Sequence, residues 1–161
     1  MDIKKEIRES QGHLLDQLAQ YESSISDLYA VYARLLPDMS TFWQTLSKEE
    51  TGHAQFLNSF HKLLENGAVF FNLDRFNAHA ILNCLAEVHQ ELARTKQGPV
   101  SLSHALTTAL SIETAVLDGH FYDTVKTDTP EFIVIAEHLS KDTYRHRSLI
   151  LEKYNALRKG L

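Results

Sequence analysis

Leu46-Ser47-Lys48-Glu49-Glu50-Thr51-Gly52-His53 lies in the middle of a helical seam, and its reading decides the fold. Around it Trp43, Leu46, Leu57, Phe60 and Leu64 recur at steps of three and four, the period of a helix with one face turned into a bundle. The stripe runs 43, 46, 50, 53, 57, 60, 64, so Glu50 and His53 occupy two inward positions of an otherwise apolar series.

The same pattern extends in both directions along the chain. In the first segment Leu15, Leu18, Ile25, Tyr29, Tyr32 and Leu36 share a face, with Glu22 between Leu18 and Ile25. Further on, Leu102, Leu106, Ala109, Val116 and the polar His120 form a stripe centred on Glu113. The last segment gives Phe132, Ile135, Leu139, Ile150 and Leu157, interrupted by Thr143 and His146. Pro37-Asp38, Asn66-Gly67, Gln97-Gly98-Pro99 and Thr127-Asp128-Thr129-Pro130 punctuate these segments as helix ends. The spacing predicts helices near 3–36, 40–65, 75–97, 101–126 and 130–159.

The middle segment carries Ile81, Leu85, Val88 and Leu92 on one side and His79, Asn83, Glu87 and Glu91 around the rest. It reads as a strap over 67–100 joining two helical hairpins, near 3–66 and 101–159, within a single domain. Its apolar stripe, with Phe76 added, faces either the bundle or a second copy of the chain.

The two hairpins are related. Leu46 to His53 aligns without gaps to Leu139-Ser140-Lys141-Asp142-Thr143-Tyr144-Arg145-His146, and Pro37 precedes Glu50 by the same interval that separates Pro130 from Thr143. In the preceding helices Glu22 pairs with Glu113 and Asp27 with Asp118. At about 1.5 Å per residue, Glu22 and Glu50 lie roughly 20 Å from the Pro37 turn, so antiparallel packing brings them to one level. Glu113 and His146 reach the same level from the second hairpin.

Composition narrows the chemistry. The 161 residues fit one domain and carry a formal charge of −5 with acids and bases interspersed, which argues against a nucleic-acid partner. No signal-peptide-like start and no membrane-length apolar run are present, so a cytoplasmic location is expected. The single cysteine, Cys84, excludes an internal disulfide and a thiolate cage, leaving any metal to carboxylates and imidazoles. Carboxylates in a dry seam with no inward lysine or arginine need shared protons or a metal ion to offset their desolvation. Glu50 and His53, three apart, present oxygen and nitrogen donors on one face, a mixture suited to iron or manganese and also to zinc.

These residues resemble the rubrerythrin branch of the ferritin-like superfamily over nearly the whole chain. The family pattern is a glutamate on the first helix, Glu-x-x-His on the second, a glutamate on the third bundle helix and Glu-x-x-His on the fourth. Here it reads Glu22, Glu50-Thr51-Gly52-His53, Glu113 and Thr143-Tyr144-Arg145-His146. The resemblance implies an all-α, ferritin-like four-helix bundle with metal ligands Glu22, Glu50, His53, Glu113 and His146. It further implies a non-haem di-iron centre that reduces peroxide or oxygen, and subunits that pair as a homodimer. Two departures qualify it. Thr143 replaces the second bridging glutamate, which opens the alternative of one ion, or a degenerate site, in an iron-handling, sensing or structural bundle. The four-cysteine rubredoxin-like module is also missing, so electrons would come from an external redox partner. Asp142 aligns with outward Glu49 and is expected to be a poor replacement ligand, while His120 could join only a metal displaced along the axis.

Overall fold

The computed structural model describes residues 3–67, 78–122 and 130–160, without the side chains of residues 131 and 132. These residues form α1 (Ile3–Leu35), α2 (Ser40–Glu65), α3 (Ala78–Thr95), α4 (Leu102–Asp118) and α5 (Pro130–Lys159), with no strand among them. The all-helical class expected from the stripes is the one observed.

Pro37 ends α1. A residue before proline is driven out of the helical region, and Leu36 accordingly takes φ −123° and ψ 72° before a short 3-10 turn, Pro37–Met39, leads into α2. The tight turn sets α1 and α2 side by side, the most extensive helix pairing among the described residues. Small residues bring the backbones close enough for reciprocal bonds: Ser26 Oγ donates to Ser47 O at 2.8 Å, and Ser47 Oγ donates to Ser26 O at 2.9 Å. Locking 26 opposite 47 in an antiparallel pair puts Glu22 level with Glu50.

α4 packs along α5, and α3 lies against α1. Ile81, Leu85 and Val88 are buried there, so α1 covers within one chain the apolar side of α3 that the sequence left open between bundle and second copy. Phe76 and Phe132 fall outside the described side chains. Apart from His120, the other predicted inward residues are buried in the core, with Leu36, Leu102, Leu92, Ile135 and Leu157 half-buried at its edges. Truncating one of these buried leucines to alanine costs about 2–5 kcal/mol.

The fourth predicted helix, 101–126, is corrected: it stops at Asp118. The turn that ends it is a Schellman motif, with Phe121 N–H donating to Val116 O at 3.4 Å and His120 N–H to Leu117 O at 3.0 Å. His120 supplies the left-handed residue at φ 49°, a place glycine usually fills. This turn exposes His120 instead of continuing it along the inward stripe. At the other end, Ser101 caps α4 by accepting from the His104 N–H at 3.1 Å.

Candidate metal centre

Glu22, Glu50, His53, Glu113 and His146 meet in the core, brought there from α1, α2, α4 and α5. Each is 2% exposed or less, in a seam where carboxylates are otherwise unfavourable. They form two overlapping groups, Glu22 with Glu50 and His53, and Glu50 with Glu113 and His146. Within each group the donor atoms lie within 4.8 Å of one another. Glu50 belongs to both.

Its two oxygens are shared between the hairpins. Glu50 Oε2 is 2.8 Å from His53 Nδ1, and Glu50 Oε1 is 2.6 Å from His146 Nδ1. Although close, His146 Nδ1 is not aligned with that oxygen as a hydrogen bond requires, and this buried nitrogen has no hydrogen-bond partner. Glu113 Oε1 is 3.7 Å from the same nitrogen. The two imidazoles face each other nearly parallel, with ring centroids 5.6 Å apart.

The outer nitrogens are held by carboxylates in a crossed arrangement. His146 Nε2, on α5, lies 2.7 Å from Glu49 Oε2 on α2; His53 Nε2, on α2, lies 3.2 Å from Asp142 Oδ2 on α5. Because a carboxylate can only accept, each Nε2 carries a proton, and each Nδ1 faces the centre, where it becomes a ligand atom on giving up the proton that nearby Glu50 favours in the metal-free chain. A carboxylate on the far nitrogen is the usual support for a metal-ligating histidine, fixing its tautomer and ring orientation. Arg145 bridges the two supports, donating to Glu49 Oε2 at 2.8 Å and reaching Asp142 Oδ1 at 3.4 Å. Sequence reasoning placed Glu49 and Asp142 outside the site. The repeat alignment held the signal, since it pairs these two acids one residue before Glu50 and Thr143.

Comparison with family models, with curated proteins and with solved structures returns no significant match. The case for the site therefore rests on its own chemistry.

Protons offset the buried charge in the metal-free chain. Burial and the neighbouring Glu50 push the Glu22 carboxyl well above the usual range, and the same two causes raise Glu113 to about 8. Burial also works against ionised Glu50, but the close imidazoles of His146 and His53 outweigh it and hold this carboxyl far below its ordinary value. Burial opposes charge on His146, yet Glu50 lifts it to about 9; His53 is raised in the same way. These directions favour negative charge on Glu50 between the two imidazoles, with protons held on Glu22 and Glu113. Cations could take the place of those protons, and the donor set of three carboxylates and two imidazoles is of the kind that suits iron or manganese, and zinc as well.

Thr143 is buried at the register position of the absent glutamate, and its hydroxyl donates to Leu139 O, one turn back in its own helix, at 2.9 Å. Tyr29, expected to pack beside the site, also donates its hydroxyl to Glu113 Oε1 at 2.7 Å, fixing that carboxylate. Among the other histidines, His61 pairs with Asp16 at 2.7 Å, His104 with Glu91 at 2.9 Å and His138 with Asp142 at 3.3 Å. Glu91 is corrected from the outer side of α3: it is buried, accepting from Tyr32 and Arg94. Cys84 is half-buried, its thiol raised by burial and the charge of Glu87, which suits a packing group rather than a thiolate.

Proposed function

We propose that this chain is a rubrerythrin-like metal-binding protein that holds two ions, iron foremost, with Glu50 as the shared carboxylate. α1, α2, α4 and α5 would then be the four helices of a ferritin-like bundle, with α3 on the crossover. The observation that carries this reading is the pair of overlapping donor groups with Glu50 common to both. Glu22 and His53 would complete one position; Glu113 and His146 would complete the other.

A redox-active pair of ions, when bound, supplies electrons for the reduction of peroxide or oxygen. The chain's own residues do the rest. Tyr29 orients Glu113, Glu49 and Asp142 aim the imidazole lone pairs inward, and the packed seam excludes bulk water. Three carboxylates against two divalent ions leave one net positive charge, which favours an added anion or an anionic substrate. Each ion would have three protein residues to hold it, which would leave room for such an anion. Electrons would be delivered by a separate donor.

Anaerobic ferrous titration with elemental analysis tests the reading. Binding should saturate near two ions per chain, one for each donor group. Glu50→Ala should lose both, and Glu113→Ala should lose one. Protein that stays metal-free after this treatment would end the proposal.

A second reading, one ion in a non-catalytic handling or sensing bundle, is favoured by Thr143, which removes a carboxylate from the second half of the repeat. It predicts saturation near one ion per chain and no absorbance change on adding peroxide.

A further inference from the structure

We propose that Trp43, Tyr32 and Glu91 form a relay that passes oxidising equivalents from the centre to the surface beside α3. The relay takes its physiological oxidant from the metal-binding reading above, but its geometry stands independently of it.

The path begins at Tyr29, whose hydroxyl holds Glu113. The Tyr29 ring centroid is 5.4 Å from that of Trp43, and Trp43 is 5.1 Å from Tyr32. All three rings are fully buried. Electron transfer falls steeply with separation, so side chains in van der Waals contact are the preferred stepping stones through an aliphatic core. Leucines around them offer no accessible oxidation state.

The two ends of the Trp43–Tyr32 pair differ in what can take a proton. Trp43 Nε1–H is buried with no hydrogen-bond partner, so an oxidised indole is not trapped by losing its proton to a neighbour. Tyr32 donates its hydroxyl to Glu91 Oε1 at 3.0 Å. Glu91 is buried but kept ionised by Arg94 Nε at 3.0 Å and His104 Nε2 at 2.9 Å, both of which reach solvent. A carboxylate here does more than bolt α3 to α1: it accepts this phenol's hydrogen bond and can take its proton.

The steps balance. A one-electron oxidant, either the oxidised centre or a laboratory reagent, removes an electron from Trp43. The indole radical cation then takes an electron from Tyr32 while the phenolic proton moves to Glu91 Oε1, giving a neutral tyrosyl radical and a carboxylic acid. A one-electron reductant at the α3 surface, such as an electron-carrier protein or a thiolate, restores the phenol as Glu91 returns the proton. Run from the surface inward, the same path admits electrons to the centre.

Trp43 is the only tryptophan, which makes the test selective. The full chain, stripped of metal, is photoionised at wavelengths tyrosine does not absorb, and the radicals are followed by transient absorption. The expected result is first-order decay of the indole radical matched by growth of a tyrosyl radical, independent of protein concentration. Tyr32→Phe should slow that decay by more than an order of magnitude. Glu91→Gln should slow it severalfold and change its solvent isotope effect, while Tyr144→Phe, exposed on α5, should change nothing. Equal decay in the parent chain and Tyr32→Phe would overturn the relay, as would tyrosyl growth that survives Tyr32→Phe and disappears in Tyr29→Phe. Because the protein is metal-free throughout, failure here leaves metal binding untouched, and failure to bind metal leaves these rates intact.

Discussion

Replacing Glu50 with glutamine keeps the shape of the side chain and removes the one anion shared by both halves of the site. His146 sits at about 9 because its carboxylate neighbours, Glu50 foremost, outweigh burial; without Glu50 the imidazole falls back towards its ordinary 6.5, held up only by Glu113 and Glu49. A folded value near 9 against 6.5 unfolded corresponds, near pH 7, to stabilisation on the order of 2–3 kcal/mol, of which the metal-free variant forfeits the larger part, the share due to Glu50. The pH dependence carries the sign. His146 is raised on folding, so its contribution is complete below 6.5 and lost as pH climbs through about 9. Glu113 is raised from 4.5 to about 8, partly by Glu50, so the parent chain also loses stability as pH rises between those values while the variant loses less. Glu50 is lowered on folding, so its contribution is lost on acidification through its folded value. Urea unfolding of chelator-treated protein across pH should therefore give a stability gap between parent and Glu50→Gln that is widest in the mildly acidic range, narrows through neutrality towards pH 9, and narrows again in strong acid. A gap that is flat with pH, or a variant more stable than the parent near pH 7, would refute this account of the charge balance.

Asp142→Asn and Glu49→Gln should each weaken metal binding by about 10–100-fold in a competition titration against a chelator, without changing the number of ions bound. Metal affinity should rise with pH up to about 9, and loading a weakly buffered sample should acidify it, because Glu22, Glu113 and the imidazoles must release protons. Thr143→Glu should tighten the weaker ion in the same titration while lowering the melting temperature of the metal-free chain, since it buries another carboxylate.

The four inward stripes were legible because each keeps a helical period over several turns, and their interruptions at Glu22, Glu50, His53, Glu113 and His146 marked the residues the core brings together. Prolines told where α1 ends and α5 begins; the end of α4 was hidden because a histidine, not a glycine, takes the left-handed position after Gly119. Glu91 looked outward since its burial depends on Tyr32, Arg94 and His104, three partners of which two belong to other helices. The supports Glu49 and Asp142 escaped notice for a related reason. Each lies beside the stripe on its own helix and reaches the histidine of the opposite hairpin, a relation that periodicity along one helix does not encode. Among the described residues no helix is long and apolar enough to cross a membrane.

Anomalous scattering at the iron edge from crystals of iron-loaded protein addresses the centre itself. Two peaks are expected on either side of the Glu50 carboxylate, one bounded by Glu22 and His53, the other by Glu113 and His146. A core without a peak, or iron found only at surface acids, would contradict it.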